Sequence, residues 1–405
     1  MVIRVAILTQ DLSGGGGVRT VALWLHDALR DSGHYDVDLH EVASSRSDVR
    51  SRRLADPRTL GRRSLRGKGL SADGGQIWGA NIPEIEGMRY RPRRELDREL
   101  RKYDLVQVVA GGAAIGGITR GLDNPIALQV ATRVRWERSA SRQANGVLLG
   151  AWRRAMTAMV DRQEVTALRS AERVFVENSE MLDYVKDLGQ AKVVKAIPGI
   201  DVDRFIPATS WERSGHILSV CRLGDRRKNL RQVVQAYSLM RGMVTNPPSL
   251  VLAGRGQLDQ SVRKIIAVEN LEKHVRVISN VTSRELPQLY SEASLYIQLS
   301  HEEGLGMSVM EAMASGIPIV STNTAGSRES VIDGMTGYLL DVNGGERLPR
   351  DASEAMVRLL NSSGVEYARA SRARAIAEFA TPVCVERFTS AYQDLLGNPG
   401  SPRDY

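Results

Sequence analysis

Ser300-His301-Glu302-Glu303-Gly304-Leu305-Gly306-Met307-Ser308-Val309-Met310-Glu311-Ala312-Met313-Ala314-Ser315-Gly316-Ile317-Pro318-Ile319-Val320-Ser321 decides how this chain is read. An apolar run, Ser294 to Leu299, precedes it and predicts a strand that ends in an acidic turn broken by glycines. A helix is expected from about Met307 to Ala314, with Gly316 past its end and a new strand from Ile317. Strand, glycine turn, helix and strand in that order form one unit of a parallel sheet, and ligands of open α/β sheets collect at the carboxyl edge of such units. The N–H groups of Gly306, Met307 and Ser308 would then form the positive end of the helix, a fit for a phosphate.

Two carboxylates bracket the turn, Glu303 and Glu311. A carboxylate repels phosphate but accepts paired hydrogen bonds from vicinal hydroxyls on a sugar ring or a ribose. A ligand with hydroxyls at both ends and phosphate between them is a nucleotide sugar. By spacing alone the pair also fits a surface acidic turn followed by an ordinary helix glutamate.

The full string resembles the signature of the family 4 retaining glycosyltransferases of the GT-B fold, from the E-G-x-G turn at Glu303 to the E-A-M-A-x-G-x-P-x-V continuation from Glu311. That resemblance implies two doubly wound, Rossmann-like α/β domains facing each other across a cleft. It implies transfer of a sugar from a nucleoside diphosphate sugar to a hydroxyl on a lipid, saccharide or small metabolite, with the anomeric configuration retained. Glu303 would hold the sugar hydroxyls and Glu311 the nucleotide ribose, with Gly304, Leu305, Gly306, Met307 and Ser308 also lining the donor.

Three further stretches bear on the same expectation. Arg222-Leu223-Gly224-Asp225-Arg226-Arg227-Lys228-Asn229 follows a predicted strand and opens a helix. Arg222 and Lys228 match the family's diphosphate-holding pair, while Arg226 and Arg227 compete for that role on sequence grounds. Cations are needed there because charge grows on the leaving phosphate oxygens as the glycosidic bond breaks. Asp11-Leu12-Ser13-Gly14-Gly15-Gly16-Gly17-Val18 resembles the family's G-G-V donor-facing loop, which maps onto Gly16, Gly17 and Val18. Ala196-Ile197-Pro198-Gly199-Ile200-Asp201 resembles its interdomain connector. The expected domains are 1–197, acceptor-binding, and 198–382, donor-binding, with a last helix at 383–396 crossing back to the first.

The pattern departs from the family at Leu128-Gln129-Val130-Ala131-Thr132-Arg133, where many relatives carry a histidine and this chain has none. All six histidines are read as solvent-facing or loop residues; His301 alone adjoins a motif. The departure leaves open a catalytically silent sugar-nucleotide-binding subunit, and the shared fold leaves open a relative such as a nucleotide-sugar epimerase. No Asp-x-Asp metal motif stands at a strand end and no cofactor is expected; the resemblance implies that Arg222, Lys228 and the helix dipole replace a divalent ion.

Length and composition agree with an enzyme of this kind. A chain of 405 residues, 42% hydrophobic and 25% charged, corresponds to two globular domains. No apolar run approaches the roughly 20 residues that span a bilayer, and the alternating N-terminus is not a signal peptide, so a cytoplasmic location is expected. Two cysteines, Cys221 and Cys384, make no disulfide framework. Residues 46–102 hold 16 Lys or Arg against 8 acids, an excess equal to the whole chain's net charge of +8. This segment is read as a solvated Arg-rich face, with peripheral contact to an anionic membrane or an anionic acceptor as the alternative. No aromatic residues interleave with its arginines from Arg46 to Lys68, so nucleic acid is not expected.

Overall fold

The computed structural model describes residues 2–10, 12, 16–62, 64–70, 74–140, 147–208, 211 and 215–397. The chain divides into two compact units, one of Met1–Pro198 with Cys384–Tyr405 and one of Gly199–Val383. Each is built around its own twisted sheet.

The first sheet has eight strands: β1 (Ile3–Gln10), β2 (Tyr35–Val42), β3 (Arg66–Leu70), β4 (Gln76–Trp78), β5 (Leu105–Ala110), β6 (Ile126–Val130), β7 (Arg173–Val176) and β8 (Val193–Lys195). Their order is β3-β4-β2-β1-β5-β6-β7-β8, all pairs being parallel except β3 with β4. β5 and β6 are buried along their whole length, which explains why they read as near-continuous apolar runs, each with one glutamine, rather than as alternation. The C-terminal helix, Thr381–Leu396, returns Phe388, Ala391 and Tyr392 to the core of this unit, beside Val5, Ile7 and Phe175. There the Tyr392 hydroxyl donates to Gln107 Oε1 at 2.6 Å, so a polar pair seals the sheet centre.

The second sheet has six strands: β9 (His216–Arg222), β10 (Leu250–Arg255), β11 (Val275–Ser279), β12 (Ala293–Gln298), β13 (Ile319–Thr322) and β14 (Gly337–Leu340). All neighbours are parallel, in the order β11-β10-β9-β12-β13-β14. Counted from β9 this is 3-2-1-4-5-6, the dinucleotide-fold order, whose direction reverses between the first and fourth strands.

Among the described residues of the basic segment the Lys and Arg side chains are exposed or partly so, as expected of a solvated face, with Arg93 the exception. Arg66–Leu70 and Gln76–Trp78 extend the first sheet, and Arg93 is buried at 4% exposure. His40 is a second correction, for it lies buried in β2, not in a loop or facing solvent. Trp78 Nε1–H donates to His40 Nδ1 at 3.2 Å, which leaves the ring proton on Nε2, 3.1 Å from the Tyr103 oxygen. The Tyr103 O–H in turn goes to Asp38 at 2.7 Å. Both ring nitrogens are therefore satisfied while the imidazole is neutral, and burial pushes its pKa down to about 4.

That shift has a sign that can be tested. Unfolded, His40 takes up a proton near its ordinary value of 6.5; folded, it does so only near 4. Its contribution is whole above pH 6.5 and is lost as the pH falls toward 4, by about 3 kcal/mol in all. Denaturant unfolding of the wild type and His40→Gln across this window should show the excess pH dependence in the wild type alone. Parallel curves would contradict the buried neutral histidine.

Candidate functional site

Reversal of the strand order at β9 leaves a crevice beside the carboxyl ends of β9 and β12, because the chain leaves these neighbouring strands in opposite directions along the sheet. Arg222 is the last residue of β9. A tight turn follows, with Asp225 N–H donating to Arg222 O at 3.0 Å. A single 3-10 turn, Arg226–Lys228, is capped by the Asp225 carboxylate on Arg227 N–H at 3.0 Å. Asn229, in the left-handed region at φ 51°, then starts the helix Leu230–Arg241. Asparagine tolerates that conformation better than most side chains.

From β12 the chain runs through Ser300–Gly306 into the helix Met307–Ala314. Gly306 has φ 80°, a conformation that disfavours any side chain, and so turns the chain sharply into the helix. The helix's own bonds begin with Val309 and Met310 N–H, both donating to Gly306 O. Met307 and Ser308 therefore present first-turn N–H groups ahead of the first intrahelical bond. The third wall is the helix Ala325–Ser330 after β13. Gly326 N–H donates to Glu303 O at 2.9 Å, and a Cβ at Gly326 would stand 2.5 Å from the Leu305 backbone. Only glycine permits that approach.

The loops after β9 and β12 are locked together. His301 N–H donates to Arg227 O at 2.8 Å, and Lys228 Nζ makes an ion pair with Glu303 Oε1. Ser300 Oγ donates to the same carboxylate oxygen at 3.1 Å. The Lys228 and Glu303 side chains are only 17% and 12% exposed, so each holds the other's charge where water is scarce.

The four cations of this loop separate by role. Arg227 is spent on structure, bridging Asp225 at 3.0 Å and Glu302 at 3.2 Å. Arg226 points away at 81% exposure, 3.7 Å from Asp259. Arg222 is half exposed and pairs with Asp225 at 2.9 Å. Lys228 pairs with Glu303 across the two loops, so Arg222 and Lys228 stand beside the glycine turn while Arg227 is held between two acids.

Glu311 lies on the same helix one turn further in. Its Oε2 accepts from the Tyr290 hydroxyl at 2.8 Å. Burial raises its pKa to about 7, while the Tyr290 hydrogen bond and the charge of Arg204 pull it back. It is thus close to half protonated at neutral pH, not the plainly ionised group expected from its type. Tyr290 was not singled out in the sequence, where it stands 21 positions before its partner. Gln298, buried at the end of β12, accepts from Ser308 Oγ at 3.1 Å and leaves its Nε2 without an acceptor.

Arg222, Lys228, Glu303, Gly304, Leu305, Gly306, Met307, Ser308 and Glu311 thus gather at one edge of the second sheet. Gly16 and Gly17 belong to the first unit, at the start of the helix Gly17–Asp31 after β1. Asp11 and residues 13–15 of that loop lie outside the described residues. Where relatives carry histidine, Ala131 and Thr132 N–H both donate to Gly111 O, at 3.1 and 3.0 Å.

Residues 203–376 match the family model for glycosyl transferases group 1. The O-antigen chain mannosyltransferase B of Escherichia coli is 29% identical over 172 residues, which cover 42% of this chain and 44% of that protein. The GDP-mannose-dependent alpha-(1-6)-phosphatidylinositol monomannoside mannosyltransferase of Mycobacterium tuberculosis H37Rv is 24% identical over 217 residues, 47% of this chain and 56% of that protein. The chain therefore spans about half the length of these curated relatives. Among solved structures, a sucrose-phosphate synthase from Thermosynechococcus elongatus aligns with a TM-score of 0.69 at 18% identity, over 97% of this chain and 99% of that one. The pneumococcal O-GlcNAc transferase in complex with UDP and GlcNAc gives a TM-score of 0.69 at 14% identity, over the same 97% and 99%. At such identities the likeness is one of fold, two Rossmann-like units of the GT-B class. The residues that match the family model for glycosyl transferases group 1, 203–376, include the whole of the crevice described above.

Proposed function

We propose that the protein is a glycosyltransferase that moves a sugar from a nucleoside diphosphate sugar to a hydroxyl acceptor with retention at the anomeric carbon. One observation carries this reading: Arg222 and Lys228 stand at the end of β9 beside the Glu303–Ser308 turn, at the point where the strand order reverses. A diphosphate placed there meets two cations and the first-turn N–H groups of Met307 and Ser308. Glu303 is oriented by Ser300 and Lys228 toward the sugar hydroxyls, and Glu311 takes the ribose.

The chemistry follows from this placement. The bond from the anomeric carbon to phosphate oxygen breaks as the acceptor oxygen bonds the same carbon on the same face. The acceptor's proton passes to the departing phosphate oxygen, so no separate base is required. Arg222 and Lys228 stabilise the charge that grows on the diphosphate, the role a divalent ion would otherwise fill. Since Lys228 is paired with Glu303 before donor enters, the phosphate shares a cation already desolvated and held in place, which reduces reorganisation during reaction. The excess of basic residues in 46–102 supports an anionic acceptor or an anionic membrane surface as the destination of the sugar.

Arg222→Ala should lower turnover of the donor by about a hundred- to a thousandfold, the cost of losing one transition-state charge partner. Its half-exposed position means the fold should survive, as circular dichroism would show. Arg226→Ala, at an exposed side chain, should change turnover little. Equal losses in both variants would move the diphosphate elsewhere. Product anomers, read by NMR, should keep the donor's configuration; inverted product would refute retention.

A second expectation concerns pH. Ribose hydroxyls donate to the ionised carboxylate of Glu311, whose pKa near 7 makes that form scarce at pH 6 and dominant at pH 8. Nucleoside diphosphate affinity should therefore tighten by about tenfold from pH 6 to 8 in the wild type. The Glu311→Gln curve should lack this component. Identical pH profiles would remove Glu311 from the ribose.

A further inference from the structure

Arg93 is a charge buried in the first unit. It is 4% exposed, its Nη2 donates to Arg89 O at 2.9 Å, and its Nε and Nη1 are buried without an acceptor. Burial lowers its pKa to about 10, with Asp97 the one acid that pulls it back, so it stays charged at neutral pH. A buried cation short of two hydrogen bonds is costly unless something supplies the missing acceptors.

Arg93 lines a cavity of about 500 Å³ with Arg52, Leu65, Trp78, Asn81, Pro92, Arg94 and Glu95. Arg52 is braced from behind, its Nε donating to Arg62 O at 2.9 Å and its Nη1 to Asn81 Oδ1 at 3.2 Å. Ile82, at φ 47°, donates its N–H to Arg52 O at 2.8 Å and holds Asn81 in place at the expense of a strained backbone. Arg94 is exposed at the rim. Against these three guanidinium groups stands one lining carboxylate, Glu95, which already accepts from Ser64 Oγ at 2.6 Å.

We propose that this cavity binds the phosphate group of a phosphorylated ligand, with Arg93 at its floor and Arg52 and Arg94 at its sides. Guanidinium forks suit phosphate oxygens, and three of them around one cavity suit a doubly charged group better than a carboxylate. The volume exceeds what a bare phosphate fills and falls in the range of small-molecule sites, so the phosphate arrives with an organic body such as a polyol or a lipid headgroup. That this ligand is the sugar acceptor rests on the glycosyl transfer proposed above; the phosphate site itself does not.

The test is calorimetric binding of glycerol 3-phosphate and of inorganic phosphate to the full chain at low salt, beside Arg94→Gln and Arg93→Gln. Both ligands should bind the wild type, and Arg94→Gln, whose exposed side chain leaves the fold undisturbed, should weaken them by about ten- to a hundredfold. Arg93→Gln should do at least as much. UDP and GDP, titrated in parallel, should bind Arg94→Gln as they bind the wild type. If neither nucleotide binds the wild type but glycerol 3-phosphate does, the donor reading fails while the phosphate site stands. Sedimentation with phosphatidylglycerol and phosphatidylcholine vesicles separates the two sources. Arg94-dependent binding to phosphatidylglycerol alone identifies a lipid headgroup, and Arg94-dependent glycerol 3-phosphate binding without vesicle binding identifies a soluble phosphate. Glycerol 3-phosphate affinity unchanged in both variants overturns the proposal.

Discussion

Everything proposed for the second unit depends on the divergence of β9 and β12. These strands lie side by side in the sheet, yet the chain leaves β9 toward β10 and leaves β12 toward β13. Their following loops are therefore carried apart, and a crevice is left where backbone N–H groups and side chains can surround a ligand. The crevice would be soft if the two loops were independent. They are joined by the His301 N–H to Arg227 O bond and by the Lys228–Glu303 ion pair, one backbone link and one electrostatic. A partly buried pair of this kind adds little net stability by itself, but loss of one partner strands the other, so the arrangement is held tightly.

The same economy explains why the loop needs so many charges. Asp225 organises its own turn and engages Arg222 and Arg227, while Glu302 takes the far side of Arg227. With Arg227 neutralised and Arg226 turned outward, Arg222 and Lys228 are left at the crevice. Basic residues that look interchangeable along the chain differ in their surroundings: Arg227 bridges two acids, Arg222 and Lys228 each pair with one, and Arg226 is 81% exposed.

Much of this was legible in the chain. The glycine turn before Met307, the helix to Ala314 and the following strand follow from local turn chemistry and periodicity, and they emerged within a few residues of expectation. So did the Arg222–Lys228 turn, whose strand and helix neighbours are strongly periodic. What was not legible depends on distant contacts. Arg91-Pro92-Arg93-Arg94 reads as exposed because nothing local announces a burial site, while β3 is too rich in glycine and charge, and β4 too short, to show strand alternation. The hydrogen bond that satisfies Glu311 comes from Tyr290, and those that satisfy His40 come from Trp78 and Tyr103; each partner is 21 or more positions away. Polar groups buried by long-range partners are where a reading of types and spacing fails, and here they coincide with the residues of greatest functional interest.

Hydrogen–deuterium exchange with and without UDP or GDP tests the central claim most directly, since it reports where a nucleoside diphosphate rests without presuming its sugar. The account predicts that one of the two nucleotides slows exchange in peptides covering Arg222–Asn229 and Glu303–Glu311, with the amino-terminal edge of the same sheet unaffected. Protection confined to other segments, with these two unchanged at saturating nucleotide, would contradict it.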